Sequence, residues 1–132
     1  MSKTSLAKKL RIQPRQRVLV LNPPPGYRDA LGELPEDVEL SKEPEGTFDF
    51  VHLFAKNIAE LERLGPTAIE AAKYDGLLWV SYPKRSSKVE TDLTRDVGWE
   101  IMAKAGLRPV TQVSVDETWS ALRFRPIERV GK

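Results

Sequence analysis

The pattern of apolar and polar positions is clearest between residues 47 and 84. Two near-continuous apolar runs, 48–54 and 77–82, flank a stretch where Ile58, Leu61, Leu64, Ala68, Ile69 and Ala72 recur at helical spacing. Strands of a parallel sheet read as unbroken apolar runs, because helices cover both faces. The stretch therefore predicts a strand–helix–strand unit with a right-handed crossover. Asn57 is placed to cap its helix over 58–73. Gly65 and Pro66 predict a kink or a break within that helix. Gly76 predicts its left-handed stop.

The same reading extends to both sides. A short helix over 5–11 has Leu6 and Leu10 one turn apart, with Thr4 or Ser5 as cap and Pro14 beyond its end. Residues 17–22 are short, aliphatic and β-branched at alternate positions, which suits a central strand. Residues 27–34 predict a short helix and 37–41 a brief edge strand. Residues 42–47 are too few for a helix and another strand before Phe48. After Pro83 comes a loop with Lys84, Arg85, Ser86, Ser87 and Lys88, then a helix over 93–105 with Val97, Ile101 and Ala105 as its buried stripe. Gly106 is its left-handed stop. Two alternating segments, 107–115 and 118–125, are too close in sequence for a crossover and must pair antiparallel.

These elements assemble in one way. The predicted strand order is second, first, third, fourth, with the last strand beside the fourth and its hairpin partner outermost. Open α/β sheets bind ligands beyond the carboxyl ends of their strands, where strand order reverses. That rule gathers Asn22, Tyr27, Lys56, Tyr82 and Lys84 as the candidate ligand rim. Strand length decides whether the Asp116–Glu117 turn lies beside Lys84 or at the far end.

Composition removes whole classes of chemistry. The chain has no cysteine and a single histidine. Thiol nucleophiles, disulfides, zinc–thiolate centres and sites built from several imidazoles are therefore excluded, and no metal site is expected. No apolar run approaches the ~20 residues of a membrane span, and no apolar block follows the charged N-terminus. A cytoplasmic location is the expectation. The net charge is only +2, but it is unevenly spread. Lys3, Lys8, Lys9, Arg11, Arg15 and Arg17 precede any acid, acids dominate from 29 to 62, and Arg123, Arg125 and Arg129 come late. Separate in sequence, these cations read as solvated surface, and no nucleic-acid partner is expected.

Three stretches invite a chemical reading. Asn22 is followed by Pro23, Pro24, Pro25 and Gly26, where a dinucleotide-binding unit carries its glycine turn. Prolines offer no N–H, so a backbone cradle for phosphate is disabled there. Glu39 stands about where an acid meets a ribose in nucleotide-binding sheets, roughly 20 residues after the first turn. His52, among Phe50 and Phe54 on one strand face, reads as a histidine held in the core by a polar partner rather than a general base. The cations and hydroxyls over 84–88 suit a phosphate or carboxylate.

A parallel unit that ends in helix, strand, tight turn and returning antiparallel strand resembles the S-adenosylmethionine-dependent methyltransferase fold. The run Tyr74-Asp-Gly-Leu-Leu-Trp-Val-Ser resembles its helix-to-strand junction. Over nearly its whole length the chain also resembles a domain-of-unknown-function family of small bacterial proteins. That likeness is carried by residues 6–10, 18–22, 26–27, 31–35, 48–54, 76–81, 83–84 and 115–120. The resemblance implies a three-layer, Rossmann-like α/β sandwich, its mostly parallel sheet ending in an antiparallel hairpin and lacking one helix and strand. The length fits one domain over 1–132, with a helix and linker over 1–14, a core over 15–126 and a loose tail expected over 127–132. With the glycine turn replaced, the expected function is a non-catalytic module that binds a protein or a small anionic ligand and holds no cofactor. The alternative is a minimal methyltransferase that uses S-adenosylmethionine. The short second strand leaves an edge that a homodimer would cover.

Overall fold

The computed structural model describes residues 5–131. Its centre is a six-stranded sheet in the order β2-β1-β3-β4-β6-β5. The strands are β1 (Arg17–Leu21), β2 (Glu39–Ser41), β3 (Phe48–Phe54), β4 (Ala72–Pro83), β5 (Leu107–Ser114) and β6 (Trp119–Pro126). β1 to β4 run parallel, and β6 joins β4 and β5 antiparallel. Strand order and the closing hairpin are those expected from the residues.

Helices cover the two faces unequally. On one face lie α3 (Ile58–Ala71) and α4 (Glu100–Lys104). Leu19, Val51, Leu53, Leu78, Val80 and Leu122 meet Leu61, Ala68 and Met102 there. On the other lie α1 (Leu6–Lys9) and α2 (Tyr27–Leu31), over Val18, Val20, Phe50, Phe54 and Trp79. Ser5 caps α1 by accepting the Lys8 N–H; the other expected cap, Thr4, lies outside the described residues. Trp79 Nε1 donates to the Leu10 carbonyl at 3.0 Å, pinning the end of α1 to the sheet.

Several expectations are corrected. Gly65 and Pro66 do not break α3, which is continuous over 14 residues. Leu61, Ala68 and Ala71 bury on the sheet and Gly65 packs near Ile101, so tertiary packing outweighs the lost donor. α3 stops at Ala71 without using Gly76. The left-handed residue in that region is Asp75, at φ 55°. Its carboxylate accepts from Arg125 and Arg129, which holds the conformation.

The helix expected over 93–105 shrinks to α4. Gly98 at φ 104° forbids its first half, and a Cβ there would stand 2.6 Å from Leu93 Cδ2. Val97 is consequently exposed, and Trp99 and Met102 form the buried contact instead. Gly106 does stop α4, at φ 79°. Residues Ile127–Arg129 form a 3-10 turn, the Ile127 N–H reaches the Gly106 carbonyl, and Tyr74 donates to Glu128; Lys132 lies outside the described residues.

Candidate functional site

The carboxyl ends of β1, β3 and β4 lie at one end of the sheet, and the antiparallel β6 starts there. Pro83 and Trp119 are register partners, and the Lys84 N–H donates to the Thr118 carbonyl at 2.7 Å. The Asp116–Glu117 turn is therefore beside Lys84. Asp116 accepts the N–H groups of Thr118 and Trp119, which shapes the turn.

The five rim residues do not form one surface. Asn22 is left-handed, at φ 57°. Its amide donates to the Phe54 carbonyl at 2.9 Å and to Glu60 Oε1 at 2.8 Å. The Lys56 N–H donates to the same Glu60 oxygen, so Asn22 and the Lys56 backbone are neighbours, and the Asn22 amide with Glu60 occupies the crevice between β1 and β3. Lys84 stands further along, its Nζ donating to Ser114 Oγ at 2.7 Å. Two rim residues turn away. Tyr82 is buried on the α3 face against Trp99, where burial pushes its phenol up and Gln112 donates to its oxygen.

Tyr27 is buried on the α1 face. Its hydroxyl lies 2.6 Å from His52 Nδ1, and His52 Nε2 lies 2.6 Å from Ser81 Oγ. The three residues form a hydrogen-bonded chain across α2, β3 and β4, sealed from solvent. Burial pushes the imidazole down to about 3 and the phenol well above its usual range. His52 is thus a neutral core histidine with both nitrogens engaged, as its setting among phenylalanines suggested.

Beyond the ends of β3 and β4 lies an open depression of about 870 Å³. Asn57 and the loop from Lys84 to Thr94 line it. The loop is built by its own hydroxyls: Ser87 donates to the Lys84 carbonyl, and Thr91 accepts the Leu93 N–H. Asn57 and Asp92 accept the Glu60 and Ile58 N–H groups at the start of α3, so that helix end is already satisfied. Lys84, Arg85 and Lys88 supply cations, Glu90 and Asp92 carboxylates. Among the described residues no group of three or more His, Asp or Glu could hold a metal ion, and no helix is long and apolar enough to cross a membrane.

The ribose reading of Glu39 fails on geometry. Glu39 opens β2 opposite Arg17, at the amino end of the sheet, and pairs with that arginine at 3.2 Å. The triproline bend is stiff as expected, and its Tyr27 N–H is spent on the Pro24 carbonyl. Glu60 and Ser81 escaped the sequence reading, whereas Asp92, expected with Thr91 as the cap of the helix over 93–105, caps α3 instead by accepting the Ile58 N–H. Glu60 carries only the cap signal of a helix-start acid, and Ser81 became legible only once His52 was seen to need a partner one strand away.

No protein-family model and no curated protein sequence matches the chain. Solved structures do. The fold is similar to that of a ribosomal protein L11 methylase from Lactobacillus delbrueckii subsp. bulgaricus, at 13% identity and TM-score 0.55, covering 92% of this chain and 74% of that one. A Methanococcus jannaschii fibrillarin pre-rRNA processing protein matches at 14% identity and TM-score 0.51, over 86% and 68% of the two chains. A Streptococcus agalactiae protein of the NADB-Rossmann superfamily matches at 10% identity and TM-score 0.51, over 96% and 69%. The architecture is therefore Rossmann-like and methyltransferase-like. The expectation of a scaffold that holds no cofactor is corrected by this likeness of fold to a methylase. The physical fault in that expectation is plain: a bend without amide donors refuses phosphate, and S-adenosylmethionine carries none.

Proposed function

We propose that the chain is a minimal methyltransferase-like protein that binds S-adenosylmethionine in the depression beyond β3 and β4. The observation that carries this reading is the polar depression at the carboxyl ends of a methylase-like sheet. The residues there suit the amino-acid end of the ligand. Lys84, Arg85 and Lys88 would take its carboxylate, and Glu90 or Asp92 its ammonium group. Only Val89 and Leu93 offer apolar wall, so the adenine ring would lie against the loop rather than in a closed slot. When bound, the ligand would supply an electrophilic methyl group.

The chain's own contribution would be positioning. Lys84 is steadied by Ser114, and the loop backbone by Ser87 and Thr91, so Lys84 would be held before a ligand arrives. No general base is assigned, because His52 is sealed in the core. A second reading, binding of a small anionic ligand or an acidic partner protein without chemistry, is favoured by the same loop cations. Isothermal titration calorimetry with S-adenosylmethionine tests the choice. The reading expects saturable heat that Lys84→Ala with Lys88→Ala weakens by tenfold or more, about 1.4 kcal/mol. No heat at millimolar ligand, with binding of simple dicarboxylates instead, supports the second reading.

A further inference from the structure

Arginines separated by up to 118 positions meet on the α1 face of the sheet, at the end away from the depression. Arg108 and Arg125 are register partners across β5 and β6. Directly opposite residues share a face, roughly 5 Å apart at Cα. Arg123 follows on the same face, about 7 Å along the strand. It pairs with Trp79, the residue on which α1 ends. Arg11, left-handed at φ 69°, emerges there, close enough to Arg123 to press on its charge. Arg129 joins through Asp75, which it shares with Arg125.

This group is under-compensated. Five arginines stand near two carboxylates, Asp75 and Glu128. Among the described residues Arg11, Arg108 and Arg123 make no ion pair. Arg123 Nε is buried without any hydrogen-bond partner. A buried donor left unpaired costs about 1–3 kcal/mol, more when charged, so its retention asks for an explanation. Burial and the nearby Arg11 and Arg125 all push the Arg123 guanidinium down, which restates the crowding.

We propose that this face binds the phosphate backbone of a nucleic-acid strand. Cations repeated along and across a strand pair meet a polymer whose charges also repeat, and several counterions are released at once. Arginine forks suit phosphate oxygens. The exposed Tyr74 stands at the same end of the sheet but lines the cleft of the other face with Ile69, Leu78 and Phe124, so the arginine face offers phosphate contacts rather than a stacking platform. The face is independent of the depression and of any ligand held there.

Fluorescence anisotropy with a labelled single-stranded RNA, on the full chain, tests it. The comparator is Arg63→Ala with Lys104→Ala, two exposed cations of the α3 face. Wild type and comparator should bind with similar salt dependence. The triple variant Arg11→Ala, Arg108→Ala, Arg123→Ala should lower the log–log salt slope by about 2, equivalent to losing about twentyfold of salt sensitivity between roughly 50 and 200 mM. Arg108→Ala alone removes an exposed side chain and should lower the slope by about 0.7 with an unchanged melting curve, which keeps the test valid if the triple variant unfolds. Absence of RNA binding by the wild type, equal loss in the comparator, or binding of anionic vesicles or a phosphopeptide in place of RNA would overturn the proposal.

Discussion

The two faces of the sheet are built from the same strands and held by different physics. The α3 face is sealed by a 14-residue helix, and its buried contact is almost wholly aliphatic and aromatic. The α1 face is covered by helices of four and five residues. There the sheet contributes the buried His52 and Ser81 and the half-buried Arg123 as well as Phe50, Phe54 and Trp79. A short helix has little apolar surface to offer, and two left-handed residues, Asn22 and Gly26, bracket the bend that leads into α2. Directional hydrogen bonds from Tyr27 through His52 to Ser81 therefore locate α2, whereas α3 is held along its length by burial, with hydrogen bonds from Asn22 and to Asp92 only at its start. The lesson is that a truncated layer can keep its position by polar specificity, at the cost of sensitivity to pH.

The sharpest way to break this contrast is by size. Leu61→Ala removes a fully buried anchor of α3, with an expected loss of about 2–5 kcal/mol in urea unfolding and no change in pH dependence. A comparable loss accompanied by a new acid sensitivity would mean that the faces are not separable.

Acid probes the other face. The His52 pKa is depressed to about 3 in the folded chain and ordinary, about 6.5, when unfolded. Below that ordinary value the unfolded chain binds one more proton than the folded one. The histidine's contribution is thus complete above pH ~6.5 and is lost as pH falls toward the folded value, by up to about 1.4 kcal/mol per pH unit. Asp75, held down to about 2 by Arg125 and Arg129 against the opposing effect of its burial, adds its own loss only at lower pH. Stability measured between about pH 6.5 and 4.5 should therefore slope more steeply in the wild type than in His52→Gln. Identical slopes in the two proteins would contradict a buried neutral imidazole.

The smallest effect is also the most specific. Tyr27→Phe keeps the ring, leaves His52 Nδ1 unpaired in the core, and should cost about 1–3 kcal/mol. The indole signal of Trp79, on the same face, should report it before the signal of Trp99 on the other.

The fold was legible because its signals are local and redundant. Runs at 48–54 and 77–82, the tight 115–119 turn and the missing room at 42–47 fixed strand order together, each with its own physical reason. Elements failed where a distant residue overruled a local preference. Arg125 and Arg129 moved the left-handed position from Gly76 to Asp75, and packing on the sheet carried α3 through Pro66. The rim was half legible: Asn22, Lys56 and Lys84 sit at strand ends, which topology predicts. Tyr27 and Tyr82 point into the two cores: Tyr82 shares the face of Leu78 and Val80 in the alternation of β4, and Tyr27 is turned inward by the bend that leads into α2. The arginine face was invisible, since Arg11 and Arg123 become neighbours only when α1 lands on Trp79.

The central claim is that a ligand of this scaffold lies beyond β3 and β4, because Asn22 and Glu60 occupy the crevice beside β1. Amide chemical-shift mapping during titration with S-adenosylmethionine tests it directly. The account predicts shifts at Asn57 and along the loop from 84 to 94, with Gly26, Tyr27 and Arg28 unmoved. Shifts concentrated at Gly26 to Arg28 with the loop silent, or none at saturating ligand, would contradict it.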